Sequence, residues 1–416
     1  MKSLYVYIER KGIMTFVGTI SGTNSSDASF VYSSEYLNSA NAKAISISLP
    51  LQNHAFSPEK TKSYFESLLP EGFTRKAVAD SVKVNDADYI SLLECLGREC
   101  IGAIQILSEK FEEESGYREI SEDELLELAK EGTLKSTALL IESHISLAGA
   151  SGKVGLYYDA ASDKWYKPYG IAASSHIVKQ SHVRLDHLVL NEQLSMLTAS
   201  KLKIDVPQSR IMKMGKEEEV LYVIKRYDRI IRDEKCVSPF RLHQEDFAQA
   251  LGIHSSEKYE IEDRQYLKRM FSLINDYSSN PIEDGLKLWD RVVFNFLLGN
   301  TDAHIKNYGL LYSTDLDSIR LAPAYDMVCT RIYGTRNDMS VMINGKLDCT
   351  LVNRDDFSEV TRDLLIGKKV AMEHYDYLCE NFENALRESI KEMKSQGFKE
   401  AVQLGNKILK ASMINS

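Results

Sequence analysis

Asn300-Thr301-Asp302-Ala303-His304-Ile305-Lys306-Asn307 is the stretch on which the reading of this chain turns. Upstream, residues 285–298 become almost wholly apolar from Val292, the composition of a helix end sunk in a core. Downstream, Gly309-Leu310-Leu311-Tyr312 has the composition of a short strand. Polar and charged side chains therefore emerge where a core helix ends, and a rigid element can aim them. Nineteen residues after Asn307 comes Ala324-Tyr325-Asp326, beyond a short β-hairpin.

Asp302 and Asn307 stand five apart. Protein kinases use that spacing in their catalytic loop, where the Asp accepts a hydroxyl proton and the Asn holds a magnesium ion. Asp326 falls where kinases keep a second magnesium ligand. Oxygen donors are what magnesium takes, usually one or two carboxylates plus substrate phosphates. The same residues would also serve as ordinary turn formers. His304 fits an orienting hydrogen-bond partner or a proton shuttle, and Lys306 fits either a phosphate-neutralising cation or a solvent-facing one.

Working outward, Ser146-Leu147-Ala148-Gly149-Ala150-Ser151-Gly152-Lys153-Val154-Gly155 carries three glycines at spacing three and leads into a strand. Such a loop lets backbone amides approach a phosphate closely. It is neither a Walker A loop nor the kinase GxGxxG, and it would equally suit a glycine-rich hairpin. His176-Ile177-Val178-Lys179 is an apolar strand ending in one cation, which could pair with nucleotide phosphates or reach solvent from a sheet edge. Tyr222 to Arg229 closes the strand-rich half, as an adenine hinge or as a plain connecting strand. Glycine-rich loop, strand lysine, hinge, catalytic Asp and Asn, then magnesium Asp is the order found along a protein kinase.

The remaining chain sets the frame. Its 416 residues favour two or three domains. Lys plus Arg is 51 against 60 for Asp plus Glu, a net charge of −9, which argues against broad non-specific nucleic-acid binding. The six cysteines form no CxxC pair and read as buried thiols. The N-terminus lacks a signal-peptide stretch, and no run approaches a membrane span, so a cytoplasmic protein is expected. Strands are expected at residues 4–8, 14–20, 45–51, 101–107, 153–159, 176–179 and 220–227. Helices are expected at 57–69, 186–202, 265–277 and 285–298, with two more over 369–415. On the 265–277 helix, Tyr266, Met270, Leu273 and Tyr277 share one stripe. Residues 108–135 read as an acidic surface connection whose short helix opens with a Ser121–Glu124 capping box. From about residue 243 onward the pattern is helical. The fold class is α+β, a strand-rich N-terminal half and a mainly helical C-terminal lobe, with a cleft expected between lobes.

Six segments then carry a resemblance. The loop Ser146 to Lys153 looks like S-[VL]-A-G-A-Q-x-K, and His176 to Lys179 like a nucleotide-binding lysine strand. Lys225-Arg226-Tyr227-Asp228-Arg229 is similar to E-R-F-D-R, and Leu242 to Phe247 to L-x-Q-E-D. Thr301 to Asn307 matches T-D-x-H-x-K-N, and Pro323 to Asp326 matches P-x-Y-D. Ser48 to Leu51, Leu68 to Gly72 and Leu96 to Arg98 also fit. Together these resemble the HipA family of bacterial serine/threonine kinases, the toxin halves of HipBA-type toxin–antitoxin pairs.

The resemblance implies a two-lobed, kinase-like fold with segments at 1–108, 109–228 and 229–416. It implies ATP and Mg2+ as cofactors and Asp302 as the catalytic aspartate, beside His304 and Lys306. Asn307 and Asp326 would be magnesium ligands. Lys179 would contact phosphates with Ala148, Gly149 and Lys153, and the backbone of Lys225 and Tyr227 would face adenine. Ser146 corresponds to an autophosphorylated serine. Partners would be a helix-turn-helix, HipB-like antitoxin, with DNA reached only through it, and a protein substrate of the aminoacyl-tRNA synthetase class. Lys225, Ser151 and Gly152 depart from the family pattern. The alternatives are a kinase of a lipid or small molecule, and a catalytically silent co-repressor scaffold.

Overall fold

A computed structural model of the chain describes residues 2–108, 114–131, 133–144, 146–147, 152–180, 185–215, 219–232, 237–262, 264–334 and 337–414. Ala148 and Gly149, expected at a phosphate, lie outside the described residues, as do Glu112, Glu113 and Cys236. The chain forms two compact units. One gathers Met1–Val183, Met212–Ser255 and Leu311–Ser318; the other gathers Arg184–Ile211, Ser256–Leu310 and Ile319–Ser416.

The first unit opens with an antiparallel sheet in the order Ser29–Tyr32, Ile13–Gly22, Lys2–Arg10, Ile104–Leu107. Leu4, Val6 and Ile8 alternate inward along Lys2–Arg10, the period of a half-buried strand. Lys11 (φ 50°) and Gly12 (φ 78°) turn the chain between the first two strands with positive φ at both positions, the hairpin geometry that matches strand twist. A Cβ on Gly12 would also sit 2.4 Å from the Phe240 ring.

The larger antiparallel sheet runs Gly116–Glu119, Lys164–Tyr169, Lys153–Asp159, His176–Gln180, Glu219–Lys225. The helix Glu122–Glu131 covers it, placing Leu125, Leu128 and Ala129 against Val154, Leu156, Val178, Leu221 and Val223. Residues 108–135 are therefore more than a surface connection, because one stripe of this acidic helix is core. Its capping box forms as expected: Glu124 N–H donates to Ser121 Oγ, and Ser121 N–H donates to the Glu124 carboxylate.

Residues 45–51 do not form the expected strand. An isolated bridge between Ser46 and Leu49 closes a turn instead. The cause is a buried carboxylate: Ser46 Oγ and Ile47 N–H both donate to Glu245, so the polar groups face inward rather than alternating toward water.

The second unit is built from the helices Leu188–Lys201, Tyr266–Tyr277, Pro281–Leu298, Lys368–Ser395 and Glu400–Ala411. Trp289, fully buried, donates its indole N–H to Ala371 O at 2.8 Å and so joins two of them. Tyr266, Met270 and Leu273 are buried as expected, but Tyr277 is 47% exposed at the last turn. The helical pattern is also interrupted by the hairpin Asp338–Ile343 and Lys346–Asp348. Among the described residues, no helix is long and apolar enough to cross a membrane.

Candidate active site

The helix Pro281–Leu298 ends at Gly299, whose φ of +71° gives it the left-handed cap that glycine adopts without strain. A Cβ there would meet Arg331 Cδ at 3.0 Å and Ala411 O at 3.2 Å. The chain then enters the 301–307 turn, and two buried amides organise it. Asn300 Nδ2 donates to Asn295 Oδ1 at 2.8 Å, and Asn300 Oδ1 accepts Asp302 N–H at 3.1 Å. Asp302 O accepts from His304 N–H at 2.8 Å and from Asn307 Nδ2 at 2.9 Å. Thr301 N–H donates to Thr330 Oγ1 at 2.7 Å. Ile305, fully buried, anchors the short 3₁₀ turn Ile305–Asn307.

The outcome is an exposed Asp302 carboxylate on a backbone whose polar groups are tied down. Its neighbours differ. His304 and Lys306 are each 6% exposed, so the solvent-facing reading of Lys306 does not hold. Asn307 spends its amide nitrogen on Asp302 O, which leaves the carbonyl oxygen as its metal-type donor.

Asp326 has φ 59°, a left-handed conformation that a non-glycine residue holds only where its surroundings impose it. Those surroundings are visible within the same unit. Ala322 N–H donates to Gly309 O at 2.8 Å and Ala324 N–H to Asp205 O at 2.7 Å. Tyr325 OH donates to Lys306 O at 2.9 Å, which ties the Asp326 segment to the Asp302–Asn307 turn. Beyond it, Asn191 clamps Cys329: Asn191 Oδ1 accepts Cys329 N–H at 3.1 Å and Asn191 Nδ2 donates to Cys329 O at 3.0 Å. The structure thus brings Asp302, Asn307 and the Asp326 segment together. A carboxylate and an amide oxygen are the kind of hard donors that magnesium takes with phosphate oxygens.

Sequence reasoning gave Asn300 no role of its own, although it opens the quoted stretch, and did not find Asn191, Asn295 or Thr330. A fully buried asparagine in the first turn of a helix, as Asn191 is in Leu188–Lys201, is a signal that could have pointed to it, because such a side chain must bond to something specific.

In the other unit, Lys179 lies on His176–Gln180, an inner strand of the larger sheet, and is 6% exposed. An edge-strand lysine reaching solvent is excluded. Its cross-strand partners are Lys153 on one side and Tyr222 on the other, and its Nζ lies 6.0 Å from the Tyr222 ring centroid. Lys153 is 8% exposed. Like charges directly opposite each other are unfavourable by themselves.

Ser146 is fully buried. Its hydroxyl donates to Leu68 O at 2.6 Å and its N–H to Glu99 O at 2.8 Å.

The segment expected as a hinge divides by side. Lys225 is exposed and Tyr227 half-buried, with the Tyr227 hydroxyl donating to Gln244 Oε1. Arg226, Asp228 and Arg229 turn inward into a buried ionic network. Arg226 pairs with Asp228 at 2.7 Å and with Glu99 at 3.2 Å, and Arg229 pairs with Glu99 at 3.1 Å and Asp228 at 3.0 Å. Burial alone would push the Glu99 and Asp228 carboxyls up, but the two guanidiniums outweigh it and hold both acids below their ordinary range. The nearby Glu9–Arg241 pair, at 2.9 Å, is buried as well.

Two family models match the chain: the HipA N-terminal domain over residues 6–107 and the HipA-like C-terminal domain over residues 145–386. The chain is 33% identical over 340 residues to Y4mE of Sinorhizobium fredii, a protein named as a candidate kinase, covering 79% of each. It is 27% identical over 303 residues to the serine/threonine-protein kinase toxin HipA of Shewanella oneidensis, covering 70% of this chain and 67% of that one. Its fold is similar to a solved Shewanella oneidensis chain from a complex of HipA, HipB and operator DNA. The TM-score is 0.80 at 21% identity, with 98% of this chain and 96% of that one covered. These matches, together with the motif residues in their places, identify the chain as a member of the HipA family.

Proposed function

We propose that this chain is an ATP- and magnesium-dependent serine/threonine protein kinase and the toxin of a toxin–antitoxin pair. The observation that carries the reading is the tether between the Asp302–Asn307 turn and the left-handed Asp326, through Tyr325 OH and Lys306 O. The names of the kinase relatives support it.

Asp302 orients the acceptor hydroxyl and takes its proton as the oxygen attacks the γ-phosphorus. The bond to the bridging oxygen breaks, and ADP leaves with the electron pair. Asn307 and Asp326 are the residues that would hold magnesium, which when bound neutralises charge on the phosphates. Lys153 and Lys179 supply cations to the phosphates, and Lys306 supplies one to the group in transfer. His304 orients Asp302 rather than shuttling a proton. The backbone of Lys225 and Tyr227 receives adenine.

Ser146 is the self-modified residue. Its hydroxyl is committed to Leu68 O and fully buried, so phosphorylation requires the loop to leave its place. The phosphate adds about −1.5 to −2 charges to the segment expected to bind ATP phosphates and so weakens ATP binding. A HipB-like helix-turn-helix antitoxin is the proposed partner, by analogy with the solved complex, and it would carry the acidic chain to DNA. The substrate class is an aminoacyl-tRNA synthetase. Phosphosite mapping in a lysate supplied with enzyme, ATP and magnesium tests the reading. New phosphoserine or phosphothreonine on a synthetase supports it, and label appearing only on lipid or small molecules overturns it.

A further inference from the structure

Tyr259 lies 43 residues upstream of Asp302 and belongs to none of the motifs above, yet its phenol donates to Asp302 Oδ1 at 2.6 Å. Its ring meets the His304 ring edge-on, with centroids 5.2 Å apart and planes at 83°. Lys258 Nζ lies 5.3 Å from the Tyr259 centroid. One side chain therefore touches both the acidic and the imidazole group of the turn.

The backbone carrying it is fixed. The next residue, Glu260, is 3% exposed. Its N–H donates to Ser340 O at 2.9 Å, and its carboxylate accepts Tyr266 N–H at 3.0 Å and Met342 N–H at 2.7 Å. Ser340 Oγ in turn donates to Thr301 O at 2.8 Å, so the hairpin that pins Glu260 is also joined to the catalytic turn. A buried carboxylate receiving backbone amides from two separate elements is a rigid mount.

We propose that Tyr259 is a positioning residue for the phosphoryl-transfer reaction: its phenol holds Asp302 Oδ1, so that Oδ2 is the oxygen that takes the acceptor proton. This rests on the kinase reading of the site. A swinging gate is the competing role for a tyrosine here, since a phenol on a catalytic carboxylate also resembles an acceptor hydroxyl. The geometry disfavours it. A gate needs a loose side chain, and this one is braced by its hydrogen bond, by the His304 edge and by a pinned backbone.

The test compares the full chain with Tyr259→Phe and Tyr259→Ala. In Tyr259→Phe the ring stays against His304 and only the donor is lost. The expected result is a fall in kcat of about tenfold with an unchanged KM for ATP. Tyr259→Ala should fall further, since His304 loses its ring partner. Parental kcat in Tyr259→Phe would overturn the proposal. So would a faster Tyr259→Phe with a lower KM for the protein acceptor, which is the signature of a gate. Carbon-13 NMR of the Asp302 carboxyl, assigned with Asp302→Asn, reads the contact without turnover. Its chemical shift at a fixed pH should move in Tyr259→Phe, and an unmoved shift sinks the contact. If the parent transfers no phosphate while the chemical shift still moves, it is the kinase reading that fails.

Discussion

The two most polar clusters of this molecule look alike in sequence and are built on opposite principles. Arg226-Tyr227-Asp228-Arg229 and Asp302-Ala303-His304-Ile305-Lys306-Asn307 are both short, charged and motif-like. In the first, charges are buried and matched: Arg226, Arg229, Glu99 and Asp228 close on one another with side chains at most 5% exposed. In the second, the buried supports are neutral amides, Asn295 and Asn300, and the carboxylate they position is left exposed. A charge that is satisfied by its own fold is architecture. A charge held out by neutral scaffolding is available for chemistry.

That contrast can be broken by mutation. The largest effect is expected from Asp228→Asn. It strips one acid from a fully buried set and leaves guanidinium charge uncompensated, at a cost of about 3–5 kcal/mol. Denaturant unfolding measures it, and the transfer rate per folded molecule should hold. A loss below about 1 kcal/mol would mean that the network is not structural.

Glu245 sharpens the comparison by adding pH. It is a buried acid whose donors among the described residues are neutral: Ser46 Oγ, Ile47 N–H and Tyr312 OH all donate to it. Burial pushes its carboxyl up to about 7. The folded state therefore keeps a proton that the unfolded chain gives up from about 4.5. The stabilisation is complete below that value and is lost as pH rises through about 7. His243, two residues away, is pushed down by burial to about 4, so its contribution is present above about 6.5 and is lost as pH falls. The two slopes oppose each other between about 4.5 and 6.5. Relative to Glu245→Gln, the parent should lose up to about 3 kcal/mol between pH 4.5 and 7.5. Thermal unfolding across that range, with the two chains staying parallel, would show that Glu245 does not hold its proton.

The smallest change in stability is expected from Asn300→Ala. It removes the acceptor for Asp302 N–H and the donor to Asn295, at about 1–3 kcal/mol. Its effect on transfer should be out of proportion, because the Asp302 backbone loses its brace. Unfolding and turnover on one preparation separate the two, and turnover that simply tracks the folded fraction would contradict the role given to Asn300.

What the sequence made legible follows the range of the interactions. The strand Lys153–Asp159, the helix Tyr266–Tyr277 and the Ser121–Glu124 cap depend on neighbours a few residues away, and periodicity or capping chemistry displays them. The Asp302–Asn307 turn was legible for the same reason. Residues 45–51 misled because Glu245, some 200 positions downstream, captures Ser46 and Ile47. The acidic helix Glu122–Glu131 misled because its charge masked a narrow apolar stripe. Asn191 and Tyr259 carry no motif, and the facing of Lys153 and Lys179 is a matter of strand register. The two units interleave along the chain in six passages, an arrangement that composition alone does not display.

The central claim is that the exposed Asp302 is a proton acceptor in phosphoryl transfer. It is tested most directly by the rate of γ-phosphoryl transfer to a serine or threonine acceptor in the parent and in Asp302→Asn, with unfolding midpoints measured on both. The expected result is a loss of about 10²–10⁴-fold at an unchanged midpoint. Transfer by Asp302→Asn at the parental rate would contradict it.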